Sequence, residues 1–149
     1  METVELDAPA FVYAIYIKAT PDAVWAALTR PEFTGKFWWG RRCESDWRQG
    51  SSLTLRAPDG EPDFTGEVLE SDPPRRLVYT FDVRKIDEPP SRVTYEIEAV
   101  GDSVCLTVTH DRFPADSMVR AGIAKGWPGI LSGLKTLLET GAPLGLKAA

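Results

Sequence analysis

Two hydrophobic periods divide this chain. From residue 38 to residue 112 apolar side chains recur at every second position between turn residues, and from Val119 to Leu138 they recur every three to four. Side chains alternate between faces on a strand and share a stripe on a helix, so the first pattern predicts half-buried strands and the second one amphipathic helix. Neither surface can bury its apolar side alone. A sheet with one apolar face and a long helix with one apolar stripe must cover each other.

The turns place the strands. Leu53 and Leu55 alternate with Thr54 and Arg56 as far as Pro58-Asp59-Gly60. Phe64, Gly66 and Val68 alternate with Thr65, Glu67 and Leu69 as far as Asp72-Pro73-Pro74, and Gly66 allows a close approach or a bulge. Leu77, Tyr79, Phe81 and Val83 share the next face, which Glu88-Pro89-Pro90 ends. Val93, Tyr95, Ile97 and Ala99 follow, with Glu96 and Glu98 turned to water, and Gly101-Asp102 joins them in a tight hairpin to Val104, Leu106 and Val108. Consecutive strands on short turns are antiparallel neighbours.

Upstream, Phe11, Tyr13, Ile15 and Ile17 alternate with Val12, Ala14, Tyr16 and Lys18 as a first strand. Thr20-Pro21-Asp22 supplies a hydroxyl cap, a proline at the first helical position and an acid in the first turn, so a short helix begins there with Val24, Trp25 and Leu28 on one face. Pro31 ends it or opens a second short helix, which Gly35 is expected to stop. The last third carries Val119, Ile123, Trp127, Ile130, Leu131, Leu134, Leu137 and Leu138 at the helical period. Pro128 is expected to kink this helix or mark a restart near Trp127. Gly122, Gly126, Gly129 and Gly133 each lower helicity by ~1 kcal/mol relative to alanine, so the helix depends on its packing. Thr140-Gly141-Ala142-Pro143 stops it. The expected fold is α+β: one domain over residues 1–149 with its core at 10–143 and loose ends at 1–8 and 144–149. Its curved antiparallel sheet has six to seven strands around a long C-terminal helix, with two short helices after the first strand.

Charge and cysteine usage bound the function. The net charge is −5 and no Lys/Arg run exceeds a pair, as at Arg41-Arg42 and Arg75-Arg76. Binding nucleic acid or an anionic membrane needs a clustered basic face, which argues against both. Residues 1–10 hold Glu2, Glu5 and Asp7 without a cationic or apolar leader segment, and no stretch approaches the roughly 20 apolar residues of a membrane span. Cys43 and Cys105 read as free thiols of a reducing compartment. The expected location is cytoplasmic. One histidine and two distant cysteines cannot build a zinc site, and no phosphate, dinucleotide or nucleophile-elbow motif is present, so neither metal nor cofactor is expected.

An ordered set of short motifs makes the chain recognisable: Ala19-Thr20-Pro21, Val24-Trp25, Ala27-Leu28-Thr29, Pro31-Glu32, Phe37-Trp38-Trp39, Asp72-Pro73-Pro74 with Arg76-Leu77, Val108-Thr109-His110, Gly126-Trp127 and Leu131-Ser132-Gly133-Leu134-Lys135. Together they resemble the helix-grip fold of the START-like superfamily. Within it they resemble the small bacterial proteins related to the C-terminal domain of the Hsp90 ATPase activator. The resemblance runs from Val12 to Pro143. It implies a sheet wrapped around the long helix and a cavity between them that takes lipids, polyketides, hormones or other apolar molecules. It also implies that the cochaperone's activating power depends substantially on a further N-terminal domain, which the residues ahead of the first strand cannot supply.

The candidate ligand-binding residues are Trp38, Trp39, Phe64, Tyr79, Phe81, Tyr95, His110, Trp127 and Leu131. They combine the aromatic side chains of the inward strand faces with the leading residues of the helix stripe. Tyr79 and Tyr95 would bury hydroxyls that need partners, which suits a ligand with one or two polar groups. His110, the only histidine, ends the last strand and is expected near the pocket mouth; a structural histidine bonded to a loop or to the helix start is the alternative. Arg41, Arg42 and Glu44 follow the aromatic cluster, with one inward ligand anchor set against plain solvated surface. Three readings stand. The first is a module enclosing a small apolar or aromatic molecule. The second is a cyclase- or dehydratase-type enzyme, with His110 helped by Tyr95 or Glu67 as acid and base. The third is a protein-interaction role with a chaperone or regulator, through an exposed Phe37-Trp38-Trp39 patch.

Overall fold

A computed structural model describes residues 8–145. The elements are β1 (Phe11–Ile17), α1 (Pro21–Thr29), α2 (Pro31–Phe37), β2 (Arg42–Ser45), β3 (Ser52–Arg56), β4 (Pro62–Asp72), β5 (Arg76–Val83), β6 (Ser91–Val100), β7 (Ser103–Asp111) and α3 (Met118–Thr140). The seven strands form one antiparallel sheet in the order β1-β7-β6-β5-β4-β3-β2, with α3 against its concave face. This is the expected helix-grip architecture. Of the expected loose ends, residues 1–7 and 146–149 lie outside the described residues, whereas Ala8 makes a β-bridge with Phe113.

Period two becomes burial directly. On β7, Val104, Leu106, Val108 and His110 face the core while the residues between them are partly exposed. On β1, Val12 and Tyr16 are 59% and 61% exposed, and Ile17 is fully buried. Gly101 turns β6 into β7 at φ 61°, closing the hairpin at Val100 and Ser103. Ala99, expected on the inward face, is exposed instead, one residue before the hairpin closes at Val100 and Ser103.

Gly66 has a specific job. A Cβ there would lie 1.9 Å from the Thr80 carbonyl oxygen of β5, far inside contact distance. The register of β4 on β5 shifts between Val68 and Glu70, and the Glu67 N–H donates to Thr80 Oγ1. The close approach and the bulge bend the sheet where it begins to curl around α3. Glu67 itself faces solvent.

Two helix expectations are corrected. Gly35 does not stop α2, which runs on to Phe37. The stop comes at Trp39 (φ 51°) and Gly40 (φ 77°), the left-handed pair that follows the C-cap, with the Gly40 N–H returning to the Gly35 carbonyl. Thr34 is held by the fold around it: its buried hydroxyl accepts from the Cys43 N–H at 3.0 Å, tying α2 to β2. Of the two alternatives at Pro128, the restart does not occur: α3 is continuous from Met118 to Thr140. The proline removes one intrahelical donor, but Trp127, Ile130 and Leu131 on either side of it are buried on the sheet. Packing decides the conformation there.

Both ends of α3 are fixed to the strands. Its first turn contains no acid, and Glu88 from the β5–β6 loop supplies one. The Glu88 carboxylate accepts from the Ser117 hydroxyl at 2.6 Å and from the Met118 N–H at 2.7 Å, a charge-assisted cap on the positive end of the helix. Toward the other end, Lys135 Nζ donates to the Tyr16 carbonyl of β1 at 2.6 Å, and Gly141 (φ 80°) closes the helix onto the Leu137 carbonyl.

Gly66→Ala must push β4 and β5 apart. We expect it to lower the unfolding free energy by about 2–4 kcal/mol in urea melts. A loss below about 0.5 kcal/mol would show that the strands are not in close contact there.

Candidate functional site

The helix and the sheet do not close completely. Toward the N-terminal half of α3 they leave an open cleft of about 400 Å³. Leu55, Phe64, Phe81 and Val83 form its sheet wall, and Gly122, Ile123, Gly126, Trp127 and Ile130 its helix wall. Trp38, Trp39 and Arg41, from the segment after α2, bound the third side, with Asp63 and Lys85 completing the lining.

The glycines explain why there is room. A Cβ on Gly122 would meet nothing within 4 Å, and one on Gly126 would only touch Ile130 Cδ1 and Trp39 Cη2 at 3.9 Å. These two positions, one helical turn apart, present bare backbone to the cleft where larger side chains would fill it. Gly133 differs: its Cβ would lie 3.2 Å from the Phe37 carbonyl, so it is a site of close helix–helix packing.

Of the nine candidate residues, Trp38, Trp39, Phe64, Phe81 and Trp127 line the cleft together. Trp38 packs on Trp127 and Phe64 at centroid distances of 5.4 Å and 5.9 Å, and Phe64 lies 4.1 Å from Phe81. Tyr79, Tyr95, His110 and Leu131 are buried in the core outside the cleft lining. The two tyrosine hydroxyls, expected to need partners, bond each other at 2.9 Å. Burial pushes both phenols above their ordinary pKa range, so they stay neutral.

His110 is not at a pocket mouth; it is fully buried, and both ring nitrogens are engaged. The Trp127 indole N–H donates to Nδ1 at 3.1 Å. Indole has no acceptor nitrogen, so Nδ1 carries no proton and the neutral ring holds its hydrogen on Nε2. That Nε2–H faces Ser91 Oγ at 2.7 Å, and the serine hydroxyl donates to the Phe81 carbonyl at 3.3 Å. The chain of donors thus runs from α3 through β7 and β6 to β5. Burial holds the imidazole's pKa down at about 3, with the Asp111 carboxylate opposing the shift only in part. Asp111 itself takes a bidentate pair from Arg92. Glu67, the other proposed helper of His110, is on the exposed side of β4.

Cleft residues that sequence reasoning missed are Leu55, Asp63, Val83, Lys85, Gly122, Ile123, Gly126 and Ile130. In the sequence, Leu55, Val83, Ile123 and Ile130 are indistinguishable from plain core or helix stripe. The two helix glycines carried a usable signal: they fall at a four-residue spacing on the flank of the Trp127 stripe. Arg41 is the inward member of Arg41, Arg42 and Glu44. It pairs with Asp63 through Nε and lies 6.0 Å over the Trp39 ring. Arg42 is exposed, and Glu44 pairs with Arg56 at the surface. Phe37 and Trp38 are buried and Trp39 is half-buried, so the aromatic cluster packs inward. Cys43, beneath the cluster, is an inert thiol whose pKa burial pushes up to about 12.

A curved sheet gripping a helix, with an apolar cleft between them, defines the helix-grip class. The family model described as "Activator of Hsp90 ATPase homolog 1-like protein" matches residues 18–139. The chain belongs to that family. No curated protein matches it. Solved structures share its fold, among them the following three. CalU16 from Micromonospora echinospora is 24% identical, with a TM-score of 0.71 over 89% of this chain and 77% of that one. PFC0360w, an Hsp90 activator from Plasmodium falciparum, is 22% identical, with a TM-score of 0.75 over 87% and 96%. DynU16, a protein of the dynemicin biosynthetic locus, is 24% identical with a TM-score of 0.76; the match covers 90% of this chain but only 48% of DynU16. Among the described residues no helix is long and apolar enough to cross a membrane.

The depressed pKa of His110 sets a pH dependence. Above the unfolded-state pKa near 6.5 histidine is neutral in both states, so His110 then costs nothing. As pH falls from about 6.5 toward about 3, the unfolded chain takes up a proton that the folded chain refuses, and stability falls by up to about 1.4 kcal/mol per pH unit. In His110→Gln this contribution should vanish, while stability at neutral pH drops by about 1–3 kcal/mol. Urea midpoints of the two proteins across that window check it. Parallel pH profiles would contradict the buried neutral imidazole.

Proposed function

We propose that this protein binds a small, largely apolar molecule in the cleft between the sheet and α3. One observation carries the reading: the helix wall is opened by Gly122 and Gly126 opposite the aromatic and aliphatic side chains of β3, β4 and β5. A volume of about 400 Å³ falls in the range of small-molecule sites. The polar groups of the core are already satisfied among themselves. A ligand would therefore be held mainly by dispersion against Trp39, Phe81, Val83 and Ile123, with side-chain polar contacts from Arg41, Asp63 and Lys85. DynU16, a structural neighbour, belongs to a small-molecule biosynthetic locus, which is compatible with this reading.

The enzyme reading loses its expected machinery, because His110, Tyr95 and Glu67 are all outside the cleft lining. Family membership favours a second reading, a protein partner of the chaperone kind. The inward packing of Phe37-Trp38-Trp39 leaves it no exposed aromatic patch there.

Native mass spectra with a panel of fatty acids, flavonoids and polyketides test the proposal. We expect a one-to-one adduct that is lost in Gly126→Leu, whose side chain projects between Trp39 and Ile130, and kept in Tyr79→Phe. A bare mass with every compound would sink the binding reading in favour of the protein partner.

A further inference from the structure

The charges on the cleft lining are not balanced. Three ionisable side chains line it: Arg41, Asp63 and Lys85. Arg41 and Asp63 cancel as an ion pair, the carboxylate taking the guanidinium through Nε alone. Two cations against one anion leave the lining with one net positive charge, on a protein whose overall charge is −5. Lys85 is exposed at the start of the β5–β6 loop and has no ion-pair partner among the described residues. Of the acids in its loop, Glu88 is committed to the N-terminus of α3, and Asp87 does not line the cleft. The Nη groups of Arg41 make no hydrogen bond among the described residues.

We infer that the ligand is an aromatic acid: a planar ring system lying against Trp39 and the accessible edge of Phe81, with its carboxylate, sulfonate or phenolate facing Lys85 and the free Nη donors of Arg41. The inference rests on the cleft being a binding site, and it names the ligand class of that site. Flat apolar walls of indole and phenyl favour a flat partner, which gains ring–ring contact beyond plain area burial. The donors left at the lining have no acceptor of their own, and a guanidinium or ammonium bonds an anionic oxygen more strongly than a neutral one. A cationic ligand would instead have to displace Arg41 from Asp63.

A matched pair of probes tests this: 8-anilinonaphthalene-1-sulfonate and its neutral parent N-phenyl-1-naphthylamine, titrated by fluorescence into the full chain, Lys85→Gln and Gly126→Leu. We expect the sulfonate to bind roughly three- to tenfold more tightly than the neutral probe. Lys85→Gln should remove most of that preference by weakening the sulfonate alone. Gly126→Leu should abolish both. Equal affinities, a preference for the neutral probe, or a preference untouched by Lys85→Gln would overturn the acid inference and leave the cleft standing as a site. No binding of either probe to the unaltered chain, or binding that survives Gly126→Leu, would overturn the cleft reading and the inference together. Thermal unfolding of Gly126→Leu at or above the unaltered temperature shows that its loss of binding is not a loss of fold.

Discussion

The structure depends on one buried polar joint between the helix and the sheet. Trp127 of α3 donates to His110 of β7, His110 donates to Ser91 of β6, and Ser91 donates to the carbonyl of Phe81 on β5. An apolar stripe on an apolar face can slide or rotate with little change in buried area. Hydrogen bonds, being directional, cannot. Each is worth about 1 kcal/mol net, less than the 1.5–3 kcal/mol of one well-buried leucine or phenylalanine, so the joint is not the source of bulk stability. Its influence lies in what misplacement would leave behind: an indole N–H and an imidazole nitrogen stranded in the core, each costing about 1–3 kcal/mol. Among the described residues every buried side-chain polar atom has a partner, so the pinned arrangement leaves none stranded.

The cleft follows from the same joint. Trp127 holds α3 at a fixed height, and a larger side chain at position 126 would enter the space between Trp39 and Ile130. With glycine at 122 and 126, the gap stays open on the side of Trp39 while the other end of the helix closes over Leu131 and Leu134. Trp127 therefore works on two surfaces at once. One edge of its indole bonds the imidazole, and part of the ring lines the cleft. Histidine at 110 is best understood as the partner that orients a cleft tryptophan, a role compatible with its depressed pKa and its complete burial.

Much of this fold was legible because its signals are local. The strand alternation, the Thr20 cap, the Gly101 turn and the Gly141 stop each depend on a few neighbouring residues, and each lies where the sequence places it. Gly35 does not stop α2 and Pro128 does not restart α3 because tertiary packing overrides local preference: Thr34 is bonded to β2, and Trp127 and Ile130 are buried on the sheet. The site was half legible. Aromatic residues on inward faces identify Phe64, Phe81 and Trp127. Nothing in a strand pattern tells Phe81, which lines the cleft, from Tyr79 two residues earlier, which does not. That distinction depends on position along the sheet relative to α3. Lys85 and Asp63 were invisible for a similar reason: charged residues at strand ends read as solvated until the fold brings them to one opening.

The most direct test of the account is the protonation state of His110 by long-range proton–nitrogen NMR on uniformly labelled protein. The chain has one histidine, so the imidazole nitrogens outside any purification tag are unambiguous. A pinned imidazole is a neutral ring with the proton on Nε2 and a bare, hydrogen-bonded Nδ1, unchanged from about pH 7 to about pH 5, well above the depressed pKa. An imidazole titrating near its ordinary pKa of about 6.5, or one protonated on Nδ1, would show that Trp127 does not donate to it and that the helix is not pinned to the sheet in this way.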